Sequence, residues 1–418
     1  MPRTVTGSEP DLVLRPFTKG FWQPEPVLAE AFVAQGHTLF DGSFAWPLLS
    51  LDGGALRRNI ATLAAFADEH RLELAPHGKT TMAPAIFRAQ LAAGAWGLTV
   101  ATGNQLLAAH AAGVRRLFVA NEIVDPTVLR WVADVLDREA ATEIIFAVDS
   151  TAGVDLLDGV AGARPLTVVV ERGYGHGRTG VRSRGDAVRL AERAVAIPGV
   201  QVVGVTGYEG GLPDAASARA FLMELLATAD DLVHAAVVPP GPVLLSAGGS
   251  LYFDVVADVL GGAVAGGRPT RTLLRSGAYV THDHGIYSRS TPYLRVPGAL
   301  EPALRAWAQV SSRPEPDLAL LAIGKRDVPF DEGFPSPLTV RRPDGASEVV
   351  HGWRVTRMND QHTYIEPAPD ETTSRTELSP GDLVELGISH PCTAFDKWRA
   401  IPVVDAERRV TDVIATYF

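Results

Sequence analysis

Short apolar runs alternate with longer amphipathic stretches through more than half of the chain. The runs are nearly continuous in apolar residues, which is typical of parallel strands buried on both faces, and helical periodicity fills the intervals between them. The candidate strands are Ala45–Asp52, Leu72–Lys79, Gly97–Ala101, Arg116–Ile123, Glu143–Ser150, Pro165–Gly173, Val200–Gly210 and Val243–Ser250. The candidate helices include Gly54–Glu69, Gly103–Ala112, Thr127–Arg138, Asp186–Ala196 and Ala215–His234.

This alternation predicts an α/β fold built as a TIM-like (β/α)8 barrel, because eight βα units fit a barrel of about 250 residues. A doubly wound open sheet is the alternative, since periodicity does not show whether a sheet closes. After about Tyr279, short strands separated by Pro, Gly and Asp turns predict a mostly β C-terminal domain. We therefore expect an N-terminal segment (1–44) that packs on the β domain, a barrel (45–285) and the β domain (286–418).

The composition indicates a soluble, cytoplasmic protein with a sizeable core. The chain has 418 residues, of which 46% are hydrophobic, and its net charge of −10 disfavours nucleic acid or an anionic membrane as a partner. No apolar run reaches the roughly 18 residues of a membrane span. The N-terminus lacks the apolar segment of a secretion signal. A single cysteine gives no reason to expect an oxidising compartment.

Lys79 is the first candidate for chemistry. Lysines make up only four of the 38 Lys and Arg residues, and Lys79 ends the predicted strand Leu72–Lys79 in the sequence Pro-His-Gly-Lys-Thr. Barrel enzymes place their chemistry at the carboxyl ends of strands. A lysine whose pKa is lowered there could form a Schiff base. The alternative is a lysine that ends the strand and contacts solvent.

Cys392 is the second candidate, because this one cysteine lies two residues after His390. In an extended strand, residues two apart point to the same face. Imidazole nitrogen and thiolate sulfur are preferred zinc donors, and a site with few protein ligands leaves room for water or substrate. The alternative is a buried free cysteine near a surface histidine.

Glycines and a tyrosine mark the ends of later strands. Gly248, Gly249 and Ser250 end the eighth candidate strand before a short helical stretch, an arrangement that can bind phosphate. The alternative is an ordinary tight turn. Tyr208 closes the seventh candidate strand, from which it would point into the mouth of the barrel, although a lone tyrosine is often a core residue.

The segment Gly175–Gly180 matches G-x-G-x-x-G by letter but follows the sixth candidate strand, with no acidic residue near position 200. A dinucleotide site is therefore not expected. Arg172 and Arg178 in this region are better candidates for contacting an anionic or phenolic group. The remaining histidines of interest, which are either further metal ligands or loop residues, are His282, His284 and His362.

Taken in order, these motifs resemble the fold-type III, alanine-racemase-like pyridoxal-phosphate enzymes, in the branch of D-serine dehydratase and D-threonine aldolase. The most specific pieces are Pro-His-Gly-Lys-Thr around Lys79 and Ser-His-Pro-Cys around Cys392. The resemblance implies pyridoxal 5'-phosphate (PLP) as cofactor, with Lys79 as the Schiff-base lysine. The other residues that it places at the cofactor are His77, Arg178, Tyr208, Gly248, Gly249, Ser250 and Tyr279.

The resemblance also implies Zn²⁺ held by His390 and Cys392, because dehydratases of this branch carry His-x-Cys and zinc. Its aldolases carry His-x-Asp with a metal such as manganese. We therefore expect a homodimer that converts D-serine, or a related β-hydroxy D-amino acid, to a 2-oxo acid and ammonia. The alternatives are D-threonine-type aldol cleavage and a non-enzymatic PLP carrier. The stretch Gly324–Asp327 resembles sequences of amino acid deaminases, which leaves the preferred substrate open.

Overall fold

Helices and strands alternate in the first part of the chain, and strands dominate the remainder. The computed structural model describes residues 12–369 and 375–418. Its helices are α1 (Ala29–Ala34), α2 (Gly53–Glu69), α3 (Pro84–Ala92), α4 (Gly103–Ala111), α5 (Pro126–Arg138), α6 (Thr151–Asp155), α7 (Arg184–Val195), α8 (Ala215–His234), α9 (Phe253–Leu260) and α10 (Ile286–Ser290).

The strands of the first part are β1 (Val13–Leu14), β2 (Val27–Leu28), β3 (Leu48–Asp52), β4 (Glu73–Leu74), β5 (Leu98–Val100), β6 (Arg116–Glu122), β7 (Glu143–Val148), β8 (Leu166–Arg172), β9 (Val200–Gly207), β10 (Val243–Ala247), β11 (Val264–Ala265) and β12 (Arg268–Leu274). Those of the second part are β13 (Leu304–Glu315), β14 (Leu318–Leu321), β15 (Ser336–Arg341), β16 (Ser347–Val349), β17 (Trp353–Met358), β18 (Thr363–Pro367), β19 (Leu383–Gly387), β20 (Ala400–Val404) and β21 (Val410–Ala415).

Eight parallel strands, β4 to β10 and β12, form the predicted barrel. Neighbours pair in sequence order from β5 to β10, and β12 pairs with both β10 and β4. The remaining gap is bridged where the Thr99 N–H donates to the Pro76 carbonyl at 2.9 Å. The expectation of a TIM-like α/β barrel followed by a β domain is confirmed.

The apolar runs fill both faces of the barrel sheet. In β8, Val168 and Val170 pack in the large core beneath the helices, while Val169 belongs to a separate cluster with Phe118 and Leu244 from other strands. Successive residues of a strand point to opposite faces, so this separate cluster fills the interior of the barrel. Burial on both sides is the reason these strands appear in the sequence as continuous apolar runs.

One predicted barrel strand belongs to the other sheet. The run predicted at Ala45–Asp52 forms β3, which pairs antiparallel with β13 (Leu48 opposite Trp307) and parallel with β20. The eighth barrel strand is instead β12, which the sequence analysis did not identify. An apolar run fits any doubly buried sheet, whereas the polar start of β12, Arg268–Arg271, hides its strand character. Lys79 therefore follows the first barrel strand, and the Gly248 loop follows the seventh.

The β domain meets the barrel beside the loop that carries Lys79. Its core includes N-terminal aromatic residues, since Phe21, Phe32 and Phe44 cluster with Trp307 of β13. At the other end of the chain, the Tyr417 N–H donates to the Met82 carbonyl at 2.9 Å. These contacts fix the β domain over one side of the barrel mouth. In the part of the chain described, no helix has the length and hydropathy needed to cross a bilayer.

Candidate active site

A cavity of about 270 Å³ opens at the carboxyl ends of the barrel strands. Its walls come from the loops after β4, β8, β9 and β10 and from the ends of several other barrel strands. Six residues predicted from the sequence line it together, namely His77, Lys79, Arg178, Tyr208, Gly248 and Gly249. Residues that lie far apart in sequence therefore converge on one site.

Lys79 lies on a 3-10 helix, Gly78–Thr80, that follows the short strand β4. Its side chain is exposed to solvent at the cavity, whose walls partly desolvate it. This desolvation lowers the pKa of the Lys79 ammonium; Cys392 opposes the shift, and the guanidinium groups of Arg178 and Arg275 reinforce it. The result is a lysine with a larger neutral fraction than an ordinary surface lysine has.

His77 lies two residues before Lys79, in the same wall of the cavity. Burial lowers its pKa well below the usual value, so the imidazole is neutral at pH 7. Its Nδ1 atom is buried and has no hydrogen-bond partner among the described residues. Buried polar atoms of proteins are normally paired, so this atom is a candidate to contact a bound group.

Arg178 stacks on Tyr208, with its guanidinium carbon 4.2 Å from the centre of the ring. The loop that carries Arg178 folds back on β8, where the Thr179 hydroxyl donates to the Glu171 carboxylate at 2.8 Å. Burial raises the pKa of the Tyr208 phenol, which therefore stays protonated at neutral pH. The sequence prediction that Arg178 contacts a phenolic group is consistent with this geometry.

The glycine loop at the cavity packs against a buried carboxylate. The N–H groups of Gly248 and Gly249 donate to the two oxygens of the buried Glu209 carboxylate, at 3.0 and 2.7 Å. Gly248 has φ +102°, and a Cβ atom there would lie 2.1 Å from Leu274. Packing and backbone conformation therefore require this glycine. Both glycines line the cavity, and Glu209 accepts these two N–H groups, so binding of a phosphate by the loop stays a prediction.

Two other predicted residues lie outside the lining of the cavity. Tyr279 is 2% exposed, and its hydroxyl accepts a hydrogen bond from Gln90 at 3.0 Å, so it packs in the core, and its role at the cofactor stays a prediction. Ser250 is hydrogen-bonded to Tyr287. Sequence analysis missed Tyr287, which lies on α10 with its ring 6.2 Å from that of His390.

Arg275 is a site residue that the sequence analysis did not single out. It is 7% exposed and lies at the floor of the cavity. Its guanidinium donates to the hydroxyls of Thr206 and Ser246, both at 2.6 Å, and to the Gly207 carbonyl at 2.7 Å. Arg275 directly follows the apolar end of β12, which would have marked it as a site residue. The sequence analysis could not use this position because it did not predict β12 as a strand.

Two carboxyl groups meet at the ends of β6 and β8. Glu122 is hydrogen-bonded to Glu171, which lines the cavity. Burial, followed by the charges of Glu171 and Asp149, raises the pKa of Glu122 to about 8. With its pKa raised in this way, Glu122 is largely protonated at neutral pH.

His390 and Cys392 come together through a turn and not through the extended strand that the sequence predicted. His390 has extended backbone angles, and Pro391–Thr393 forms a 3-10 helix. The imidazole is hydrogen-bonded to Cys392, and its Nδ1 lies 2.7 Å from the Asp331 carboxylate. Burial lowers the pKa of His390, but Cys392 and Asp331 together raise it to about 9.

This pair lies beside the Lys79 loop. The Cys392 sulfur is 3.5 Å from the hydroxyl of Thr80, the residue that follows Lys79. Within the described ranges, no three His, Cys, Asp or Glu side chains gather into a group that could hold a metal ion. Any ion at His390 and Cys392 would thus leave coordination positions open to water or substrate.

The other candidate histidines are separate from this pair. His282 and His284 are mostly buried, each has an unpaired Nδ1 atom, and burial lowers the pKa of both to about 4. They are therefore neutral residues between the barrel and the β domain. His362 is exposed in the turn between β17 and β18.

Two protein-family models match the chain, one in the barrel and one in the β domain. The family model for the N-terminal domain of alanine racemase matches residues 51–255, and that for a putative serine dehydratase domain matches residues 303–404. A D-threonine aldolase of Arthrobacter sp is 27% identical over 332 residues, 77% of this chain and 80% of the relative. A 3-hydroxy-D-aspartate aldolase of Paracoccus denitrificans (strain Pd 1222) is 26% identical over 298 residues, 69% and 74%.

Solved structures share the fold. D-threonine aldolase from Filomicrobium marinum superposes with a TM-score of 0.73 at 24% identity, covering 90% of this chain and 95% of the other. D-threo-3-hydroxyaspartate dehydratase from Delftia sp. HT23 gives a TM-score of 0.69 at 20% identity, covering 89% and 97%. A cysteine-to-alanine mutant of D-threo-3-hydroxyaspartate dehydratase, in a metal-free form, gives 0.70 at 21% identity, covering 89% and 97%.

Proposed function

Because the chain belongs to the fold-type III, alanine-racemase-like PLP enzymes, in the branch of D-serine dehydratase and D-threonine aldolase, we propose that it is a PLP- and zinc-dependent dehydratase. Its substrate would be D-serine or a related β-hydroxy D-amino acid, and its products a 2-oxo acid and ammonia. We also propose that it is cytoplasmic, as its composition indicates, and that it forms a homodimer, as the resemblance implies.

The observation that carries the proposal is the contact between Cys392 and the Lys79 loop. A thiolate and an imidazole favour zinc over the harder ions that carboxylates prefer. The pair approaches the Lys79 loop from the β domain, and Lys79 itself lines the cavity from the barrel. A metal at His390 and Cys392 would therefore face a substrate bound at Lys79.

The cavity fits a phosphate-bearing cofactor. Lys79, Arg178 and Arg275 bring three cationic groups to its lining, against the single carboxyl of Glu171. His77 adds an unpaired buried nitrogen. Lys79 would hold PLP covalently, with Arg178 and Tyr208 beside it. When bound, PLP supplies an electron sink for the charge that develops at the substrate α-carbon.

The residues of the chain account for the proton steps. Lys79 is suited to accept the α-proton, because partial burial and two neighbouring guanidinium groups lower the pKa of its amine. Tyr208 stays protonated and supplies an aromatic face with no negative charge. Zinc at His390 and Cys392 would supply Lewis-acid assistance to departure of the β-hydroxyl, which is otherwise a poor leaving group.

Aldol cleavage is the second candidate. The observation that favours it is that the Arthrobacter and Paracoccus relatives, at 27% and 26% identity, are aldolases. The same lysine and metal would then act on the Cα–Cβ bond. Cys392 favours dehydration, because aldolases of this branch resemble one another in carrying aspartate at the corresponding position.

A product assay separates the two candidates. The purified protein is supplied with PLP and zinc and incubated with D-serine, D-threonine and D-threo-3-hydroxyaspartate in turn. We expect a 2-oxo acid and ammonia in equal amounts from at least one of them. Formation of glycine in their place would establish the aldolase. No product from any of the three would contradict both candidates, and Lys79→Ala serves as the control for cofactor-independent breakdown.

A further inference from the structure

We propose that Asp331 is a positioning residue that orients His390 for metal binding. The inference rests on the proposed zinc site and extends it to a loop that no sequence motif marks. Asp331 lies between β14 and β15, about sixty positions before the pair that it serves. Its carboxylate meets both ends of the turn that presents Cys392.

Both carboxylate oxygens of Asp331 are occupied. Oδ2 lies 2.7 Å from the Nδ1 atom of His390, and Oδ1 accepts a hydrogen bond from the Thr393 hydroxyl at 2.9 Å. A carboxylate bound in this way is a poor candidate for a metal ligand. It is well suited to hold the imidazole in one orientation and in the tautomer that carries the proton on Nδ1.

With Nδ1 held by Asp331, Nε2 is the ring nitrogen that would bind a metal, in place of the hydrogen bond that the imidazole forms with Cys392. A histidine that ligates a metal commonly donates its other ring N–H to a carboxylate, which fixes the ring and raises its basicity. The negative charge of Asp331 also favours a cation near His390. Asp331 would therefore set both the direction and the strength of the nitrogen ligand, while Cys392 supplies the sulfur.

The loop that carries Asp331 is anchored by contacts on its N-terminal side. Before it, the buried Asp327 forms an ion pair with Lys19 at 2.7 Å, and the Gly324 N–H donates to the Asp327 carboxylate at 2.9 Å. Next to it, the Pro329 carbonyl accepts a hydrogen bond from the Ser389 hydroxyl at 3.4 Å. The carboxylate is thus held at the turn that carries His390 by the fold around it.

The chain offers a matched control in Asp396. This carboxylate lies in the same region, close enough for Asp331 to influence its pKa, but its recorded ion-pair partner is Lys397 at 3.9 Å. Asp396→Asn removes the same charge without touching His390. Thr393→Val removes the hydroxyl that holds the second oxygen of Asp331 and leaves the carboxylate in place.

The test measures zinc affinity and not activity. Full-length protein is titrated with Zn²⁺ in competition with a chromophoric chelator. Removal of a partner behind a ligand typically weakens metal binding by about 10- to 100-fold, which we expect for Asp331→Ala. Asp331→Asn keeps an acceptor oxygen, so its zinc affinity should fall less than that of Asp331→Ala. Thr393→Val should lose less than Asp331→Ala, and Asp396→Asn should match the wild type.

The outcomes distinguish this inference from the proposed function. If Asp331→Ala and Asp331→Asn both bind zinc as tightly as the wild type, Asp331 has no positioning role, although the zinc site stands. If Asp396→Asn lost as much zinc affinity as Asp331→Ala, the effect would come from the removal of any nearby negative charge, and the inference would be overturned too. If the wild type does not bind zinc, or if Cys392→Ala binds it equally well, the proposed zinc site itself is refuted, and the role of Asp331 with it.

Discussion

At the scale of single residues, the chemistry of the site depends on side chains whose surroundings change their charge. Lys79 is partly desolvated at the mouth of the barrel, and two neighbouring guanidinium groups disfavour its protonated form. The other three lysines are Lys19, which is paired with Asp327, and Lys325 and Lys397, neither of which lines the cavity. Lys79 is therefore the lysine with the environment that covalent catalysis requires.

We predict that borohydride reduction of the protein loaded with PLP will fix a pyridoxyl group on Lys79. Peptide mapping by mass spectrometry locates the label, and the three remaining lysines serve as internal controls. Lys79→Ala should lower the rate of product formation by roughly 10²- to 10⁴-fold, the usual contribution of a positioned acid or base. A label on Lys325 or Lys397, or no label at all, would refute the assignment.

The sequence predicted the residues that stand in recognisable motifs and missed those that the fold brings in. Lys79, Arg178 and Tyr208 each follow an apolar run, so their position at the barrel mouth could be predicted. Glu209 and Arg275 form hydrogen bonds with residues far away in the sequence. Such contacts cannot be predicted from the spacing of neighbouring residues. The same is true of Asp331, which approaches His390 from a turn-rich loop.

At the scale of elements, strand identity was easier to predict than strand partnership. An apolar run reports burial on both faces but not the sheet that buries it. For this reason β3 was predicted as a barrel strand although it pairs with β13 and β20. The turn at Pro391–Thr393 shows the same limit, because an H-x-C spacing is compatible with either a strand or a 3-10 helix.

The carboxyl pair at the ends of β6 and β8 gives a prediction about pH and stability. The pKa of Glu122 in the folded protein, about 8, lies above its ordinary value of 4.5. The stabilisation from this group is therefore fully present below about pH 4.5 and is lost as the pH rises through 8. Glu122→Gln mimics the protonated form, so it should remove this pH dependence. At pH 8 the free energy of unfolding of the variant should exceed that of the wild type by about 1–2 kcal/mol.

Urea unfolding at pH 5 and pH 8 measures this difference. The matched control is Glu192→Gln, which neutralises an exposed carboxylate on α7 and should leave the pH dependence as it is in the wild type. If the free energy of unfolding of Glu122→Gln depended on pH as strongly as that of the wild type, Glu122 would not be the group whose titration lowers stability.

At the scale of the whole molecule, the site lies where the two parts of the chain meet. The barrel supplies Lys79, Arg178 and Tyr208, and the β domain supplies His390 and Cys392. The contact between Thr80 and Cys392 joins the two sets beside the Lys79 loop. We predict that the proposed metal serves the reaction and that the fold does not depend on it, because two ligands from one turn would leave an open site, and open sites are catalytic more often than structural.

The most direct test of the account is removal of the metal from the enzyme loaded with PLP. After chelation, we predict that the absorbance of the bound cofactor and the thermal unfolding midpoint will persist. Formation of pyruvate from D-serine should fall by at least about 100-fold, because Lewis-acid assistance is worth several kcal/mol, and added Zn²⁺ should restore it. A chelated protein that keeps its full dehydratase rate, or one that unfolds when the metal is removed, would contradict the central claim.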